Sequence, residues 1–219
     1  IHFPNFNKPS LVIKKILRSS LSDLICKGVK PVYYFISGSG NKKTFSNKNL
    51  KKISKSLLEE QKRYNIKLCG GDTTFSNKLN FTITAIGFSK KIIYRNNTKE
   101  NDDIYVTGNI GDSFVGLQIL KKKIKVNKNE YDYFVNEFYK PNIQLKLTKE
   151  LLKFSNSSID ISDGLVGDLE KLINNQKLNY QIDLEKIPVS KPLKHLIVRL
   201  ELKKFKTLLN GDDYQILFT

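Results

Sequence analysis

The chain contains no methionine at all, and it opens on Ile1-His2-Phe3-Pro4 in a stretch that reads as extended. The combination is expected of a piece whose true start lies upstream, so a targeting segment would not be visible here. No run of apolar residues approaches the roughly 18 needed to span a bilayer, which argues against a membrane role and for a soluble protein. Cysteine is scarce. Cys26 and Cys69 stand far apart and in no metal-ligand spacing, which argues against both a disulfide framework and a zinc site and fits a reducing cytoplasm. Zinc-finger spacing and the aromatic motif of RNA-recognition domains are missing. The Gly-rich segments Ser37-Gly38-Ser39-Gly40 and Thr107-Gly108-Asn109-Ile110-Gly111-Asp112-Ser113 lack the Gly-Lys-Ser/Thr ending of a Walker A loop.

Acidic residues are also few, 21 against 38 lysines and arginines, for a formal charge of +17. Such a surface attracts anions of every size, nucleic acid included. The lysines fall in pairs and triplets such as Lys51-Lys52 and Lys121-Lys122-Lys123, within segments that carry amphipathic spacing, and so read as solvated faces. Nucleic-acid binding is therefore the lesser reading of the charge. With 219 residues and 39% hydrophobic content the chain can bury one large core or two modest ones.

Apolar spacing predicts a helix from Pro9 to Gly28 and another over about Asn49 to Tyr64. Strands are expected at Pro31 to Ser37, Ile66 to Cys69 and Leu79 to Phe88, with a polar turn at Gly38 to Lys43. The segment 89–102 is polar, and a strand-turn-helix unit over 103–121 follows, so a domain boundary is placed there, giving 1–92 and 93–219. The second half is expected to carry helices near Glu130 to Tyr139, Gln144 to Phe154 and Gly164 to Asn174. Its strands are expected at Ser157 to Ile161, Tyr180 to Leu184 and Tyr214 to Phe218. The alternation argues an α/β or α+β class.

The informative acids are the aspartates beside Gly, Ser or Thr at predicted element ends: Asp23, Asp72, Asp160, Asp163 and the pair Asp212-Asp213. Each alone is well explained by a turn or a helix cap. Several of them at strand ends favour a site, because ligands gather there in α/β proteins. Carboxylates are hard donors suited to Mg²⁺, which takes one or two of them together with waters and substrate phosphates. The Gly108–Ser113 segment reads equally as a sharp turn or as an approach to an anion.

Four motifs in this order, Gly70-Gly71-Asp72-Thr73-Thr74, Asp103-Ile104-Tyr105-Val106-Thr107-Gly108, Asp160-Ile161-Ser162-Asp163-Gly164-Leu165 and Gly211-Asp212-Asp213-Tyr214-Gln215-Ile216-Leu217-Phe218-Thr219, resemble those of the thiamine-monophosphate kinase family. That family belongs to the aminoimidazole ribonucleotide synthetase-like superfamily, and the match spans nearly the whole chain. The resemblance implies a two-domain synthetase-like fold whose N-terminal, dimer-forming domain is incomplete here, and a homodimer. It implies transfer of a phosphoryl group from ATP to thiamine monophosphate with Mg²⁺. By the same resemblance Asp23, Asp72, Asp160 and Asp163 correspond to metal-binding carboxylates. Gly71, Asp72, Arg95 and Ser162 correspond to ATP contacts, and His2 and Asp212 to contacts with thiamine phosphate.

The chain departs from the family pattern at Asn96-Asn97-Thr98, Asn101 and Asn210, which bears on local loop shape. The family's Gly-Asp-Asp and Thr-Asp motifs would precede Ile1, so the chain by itself is expected to be inactive. No general base is required, because the accepting phosphate oxygen is already anionic near neutral pH. The rivals are another synthetase of the superfamily with a different acceptor, and a basic nucleic-acid-binding module.

Overall fold

The computed structural model describes residues 3–219. Helix α1, Pro9–Ile25, starts with proline in its first turn, where no N–H is needed. Its apolar stripe of Val12, Ile13, Ile16, Leu17, Leu21 and Ile25 is enclosed. The helix stops before Gly28, which adopts a left-handed φ of 73° and lies so close to Leu152 that an added Cβ would meet that side chain at 2.6 Å.

Strand β1, Lys30–Gly40, runs into the segment expected to turn, which turns only after Gly40, and helix α2, Asn47–Tyr64, crosses over to β2, Lys67–Phe75. Strand β3, Asn80–Phe88, completes a sheet of order β2-β1-β3, in which β2 is parallel and β3 antiparallel to β1. The Gly70–Thr74 motif therefore lies within an edge strand and not in a turn. Gly71 makes this possible, since a Cβ there would meet the Ile36 carbonyl oxygen at 1.7 Å. Helix α1 packs on β1, β3 and α2, and covers one face of the sheet.

Strand β4, Tyr105–Val106, leads to α3, Asp112–Leu120, and α4, Lys128–Tyr139, which starts with a reciprocal cap between Asn127 and Glu130. A 3₁₀ turn over Leu145–Leu147 precedes α5, Thr148–Phe154, where a single helix was expected. Strand β5, Ser158–Asp160, and helix α6, Leu165–Leu172, follow. The segment 180–184, expected as a strand, makes no ladder. Tyr180 and Ile182 instead pack singly against the core, with no neighbouring strand to pair with. Helices α7, Lys191–Arg199, and α8, Lys204–Leu208, were not anticipated, and β6, Ile216–Phe218, ends the series. The second sheet has order β4-β6-β5 and is antiparallel throughout. Mixed helices and strands on two sheets agree with the expected α/β class.

A buried ion pair joins α1 to α2. Arg18 Nε donates to Glu60 Oε2 at 2.7 Å and its Nη2 to Oε1 at 2.9 Å, while Nη1 reaches the Pro141 carbonyl at 3.1 Å.

Candidate functional site

Two loops meet against α1. In the first, β5 ends at Asp160, and the chain turns through Ser162, Asp163 and Gly164 into α6. Asp168, fully enclosed in α6, holds this turn: its Oδ2 accepts the backbone N–H groups of Ser162 and Asp163 at 2.8 Å and of Gly164 at 3.1 Å. Lys171 donates to the other oxygen at 2.8 Å, so the buried charge is satisfied on both sides.

The second loop, residues 210–214, lies on the first. The Asp212 N–H donates to the Ser162 carbonyl at 2.9 Å, and the Tyr214 N–H to that of Ile161 at 2.8 Å. Gly211 is obligatory here, because a Cβ would meet the Ser162 carbonyl oxygen at 1.9 Å. Asp213 turns inward and accepts the N–H groups of Gly111 at 2.9 Å and Ser113 at 3.4 Å, at the head of α3. Burial pushes its carboxyl up to about 8, against those two donors. The glycine-rich approach to α3 is thus occupied by the protein's own carboxylate, which favours the sharp-turn reading of that segment.

Asp160 is 3% exposed and accepts the Ser22 hydroxyl at 3.1 Å. Burial, and then the charge of Asp23 on α1, push its pKa up to about 7. Lys27 stands beside this pair and donates to the Ser158 carbonyl at 2.7 Å. Burial lowers its pKa; the charge of Arg95 acts in the same direction, while Cys26, Asp160 and Asp23 oppose them. Two neighbouring carboxylates and two cations therefore share the junction of α1 with the first loop.

The aspartates read from the sequence are only partly gathered. Asp23 and Asp160 come together with Arg95 nearby, and Ser162 is joined to Asp212 through its carbonyl. Asp163 projects outward, its side chain 71% exposed and ion-paired with Lys171. Asp72 is exposed on β2, its carboxylate accepting the adjacent Thr73 N–H at 2.8 Å. Among the described residues no group of three or more His, Cys, Asp and Glu is placed to hold a metal ion, so the four-carboxylate cluster is not assembled within this chain. Asp72 is carried on an edge strand, and Lys171 already neutralises Asp163. His2 lies outside the described residues. The oxygens of Asp23 and Asp160 do fit one hard divalent cation, which needs only one or two carboxylates, and its charge would relieve the repulsion that raises Asp160.

A cleft of about 990 Å³ between the 98–106 and 177–188 segments is lined by Asp103, Ile104, Val106, Leu165 and Thr219 of the four motifs, but by none of the residues assigned to metal, ATP or thiamine phosphate. A smaller cavity of about 420 Å³ opens between α1 and β3, with Phe3, Ser19, Ser20 and Phe81 in its wall. Ser19, whose hydroxyl donates to the Ile16 carbonyl at 2.9 Å, lies beside Tyr214 of the second loop.

Sequence reasoning passed over Lys15, Lys27 and Asp168. Asp168 was signalled by an acid in the first turn of a helix that follows Ser-Asp-Gly. The two lysines carry no local signal, because they look like the solvated lysines around them.

Residues 1–89 match the family model of the AIR synthase related protein, N-terminal domain. The chain is 34% identical over 212 residues to the thiamine-monophosphate kinase of Leptospira interrogans, covering 96% of this chain and 67% of that protein. It superposes on the crystal structure of thiamine monophosphate kinase from Aquifex aeolicus with a TM-score of 0.92 at 26% identity, covering 100% of this chain and 74% of that one. On AaThiL complexed with AMPPCP and TMP the TM-score is 0.93 at 26% identity, covering 100% and 71%. With a relative at this identity over nearly the whole chain and a fold that superposes so closely, the chain belongs to the thiamine-monophosphate kinase family.

Proposed function

We propose that this chain is part of an enzyme that uses ATP and a divalent cation to phosphorylate thiamine monophosphate, giving thiamine diphosphate and ADP. The observation that carries the reading is the junction at which the charges of Asp160 and Asp23 act on one another with Lys27 and Arg95 near them, in a chain of this family. Two polyanions must approach there, and the obstacle is their mutual repulsion. Lys27 and Arg95 offset phosphate charge, while Asp168 fixes the backbone of Ser162, Asp163 and Gly164 on which the ATP end rests. Magnesium, held by Asp23 and Asp160, would supply further charge neutralisation.

Gly71, Asp72, Arg95 and Ser162 are read as ATP contacts, and Asp72 and Asp163 as further cation ligands, Asp163 by exchanging Lys171 for the metal. Asp212 and His2 are assigned to thiamine monophosphate, whose rings suit the cavity walled by Phe3 and Phe81. The acceptor is a phosphate oxygen, so transfer is direct and needs no protein nucleophile. A phosphorylated enzyme trapped during turnover would count against that.

The outer face of the first sheet supports a homodimer: Tyr33, Phe35 and Phe88 lie uncovered, as do Leu68 and Phe75 on edge strand β2. The two separate sheets support a division into domains near residue 92. A cytoplasmic location is supported by two unpaired cysteines, and no helix among the described residues is long and apolar enough to cross a membrane.

The test is thermal denaturation of the chain with MgATP and, separately, with thiamine monophosphate. Each is expected to raise Tm, by an amount worth ~2.7 kcal/mol at a hundredfold excess over Kd. Asp160→Asn is expected to remove the magnesium-dependent part. Unchanged Tm with millimolar levels of both ligands would refute the assignment.

A further inference from the structure

Lys15 is the one lysine of α1 whose side chain is fully enclosed, at 0% exposure. Its Nζ lies 2.9 Å from Asp212 Oδ1 and 3.3 Å from the Asp212 carbonyl oxygen. The ammonium is otherwise bounded by aromatic faces, 4.3 Å from the Phe138 ring centroid and 4.7 Å from that of Tyr214. Burying an ammonium group in this way is costly unless it is paired, and a well-packed apolar side chain of similar volume is often as stable or more so. The charge therefore calls for a purpose other than stability.

The partner loop supplies one. Asp212 and Tyr214 both adopt left-handed backbone, with φ of 75° and 51°, which side-chain-bearing residues resist. Outside contacts must hold the loop in that shape. Lys15 and the Tyr214 hydroxyl, at 3.2 Å, both meet Asp212 Oδ1, so Oδ2 is the oxygen that remains for an external donor. On the same face of α1, one turn on, Ser19 lies beside Tyr214 and lines the 420 Å³ cavity. Thiamine monophosphate carries a cationic thiazolium and an aminopyrimidine, either of which suits a carboxylate better than its phosphate does.

We propose that Lys15 is a positioning residue for the thiamine monophosphate site: without touching the substrate, it fixes the Asp212 carboxylate so that Oδ2 faces the cationic or amino end of the ligand. The inference rests on the reading of Asp212 as a substrate contact. It separates the two ligands, because Lys15 has no contact with the Asp23–Asp160 junction.

The experiment is calorimetric titration of the parent chain, Lys15→Met, Lys15→Arg, Asp212→Asn and the Lys15→Met/Asp212→Asn double variant, with thiamine monophosphate and separately with MgATP. Near-ultraviolet circular dichroism checks that each is folded. Lys15→Met is expected to weaken thiamine monophosphate on the order of tenfold or more, the scale on which supporting partners of site residues act. Its MgATP affinity should stay within about twofold, as for independent sites. Added to Asp212→Asn, it should cost nothing further. Should Lys15→Met fail to fold, Lys15→Arg, which keeps the ion pair, is to retain selectivity for the same ligand loss.

Parental affinity of Lys15→Met for thiamine monophosphate, equal losses for both ligands, or losses that add in the double variant would each overturn the role of Lys15. If Asp212→Asn binds thiamine monophosphate as the parent does, it is the substrate reading of Asp212 that fails. A parent chain that binds neither ligand overturns both.

Discussion

Replacing Gly211 by alanine should separate the two loops on which the site is built. The new Cβ would lie 1.9 Å from the Ser162 carbonyl oxygen, 2.4 Å from its carbon and 2.7 Å from the Asp163 carbonyl carbon, where ordinary contact begins near 3.4 Å. All three are backbone atoms, so no side chain can swing aside, and one loop must retreat by about 1.5 Å. That retreat breaks the 2.9 Å hydrogen bond from the Asp212 N–H to Ser162. Overpacking costs about 1–3 kcal/mol and a lost hydrogen bond about 1 kcal/mol, so a total near 3 kcal/mol is expected. Urea unfolding followed by far-ultraviolet circular dichroism reads this as a lower midpoint at unchanged slope. Gly167 provides the contrast: an added Cβ there meets nothing within 4 Å, and Gly167→Ala in α6 should stabilise by roughly 0.5–1 kcal/mol. If Gly211→Ala lost less than about 1 kcal/mol, the loops would not be in the close register described.

Glu60→Ala leaves Arg18 buried without its carboxylate and is expected to cost about 3–5 kcal/mol in the same assay, whereas Arg18→Met with Glu60→Leu should be near neutral; equal losses in both would show that volume, not charge, matters there. Asp160, with a pKa of about 7 in the fold, binds a proton more tightly when native than when unfolded, so its contribution falls as pH rises from about 4 and is fully lost above about 7. The parent urea midpoint should therefore drop between pH 5 and pH 8 without metal, and Asp160→Asn should flatten the slope; an unaltered slope would reject the assignment. Tyr34 is fully buried, and its hydroxyl finds no hydrogen-bond partner among the described residues. Tyr34→Phe is expected to leave stability unchanged or raise it by up to about 1 kcal/mol, and a loss of that size would mean that the hydroxyl is bonded after all.

The helices with a continuous apolar stripe, α1, α2 and α4, were legible because their burial follows the period of the helix. Edge strand β2 was legible only in its first residues, within the strand expected at Ile66 to Cys69: almost every residue in it is exposed, so no alternation of burial marks the rest, and its two glycines suggest a turn. Residues 180–184 carried strand-like alternation, but alternation records which side chains pack, not whether a neighbouring backbone is available to pair. Within the site, Asp160 and Asp23 were readable as acids at element ends. What brings them together is the packing of α1 on β5, a relation between segments more than a hundred residues apart that no local pattern encodes. Lys15 was hidden for the opposite reason, since in a chain with so many lysines one more on a helix attracts no notice until its enclosure is seen.

The order β4-β6-β5 places the latest of these three strands in the middle. As the polypeptide emerges from the ribosome, β4 and β5 have no ladder partner in each other, and each waits for residues 216–218 before its edge is closed. Asp160, at the tip of β5, pairs only with Ile216 in that ladder, so the carboxylate is anchored only once residue 216 has been made. Nascent protein should therefore complete its first sheet before its second, with a window between the two in which chaperones have bare strand edges to recognise.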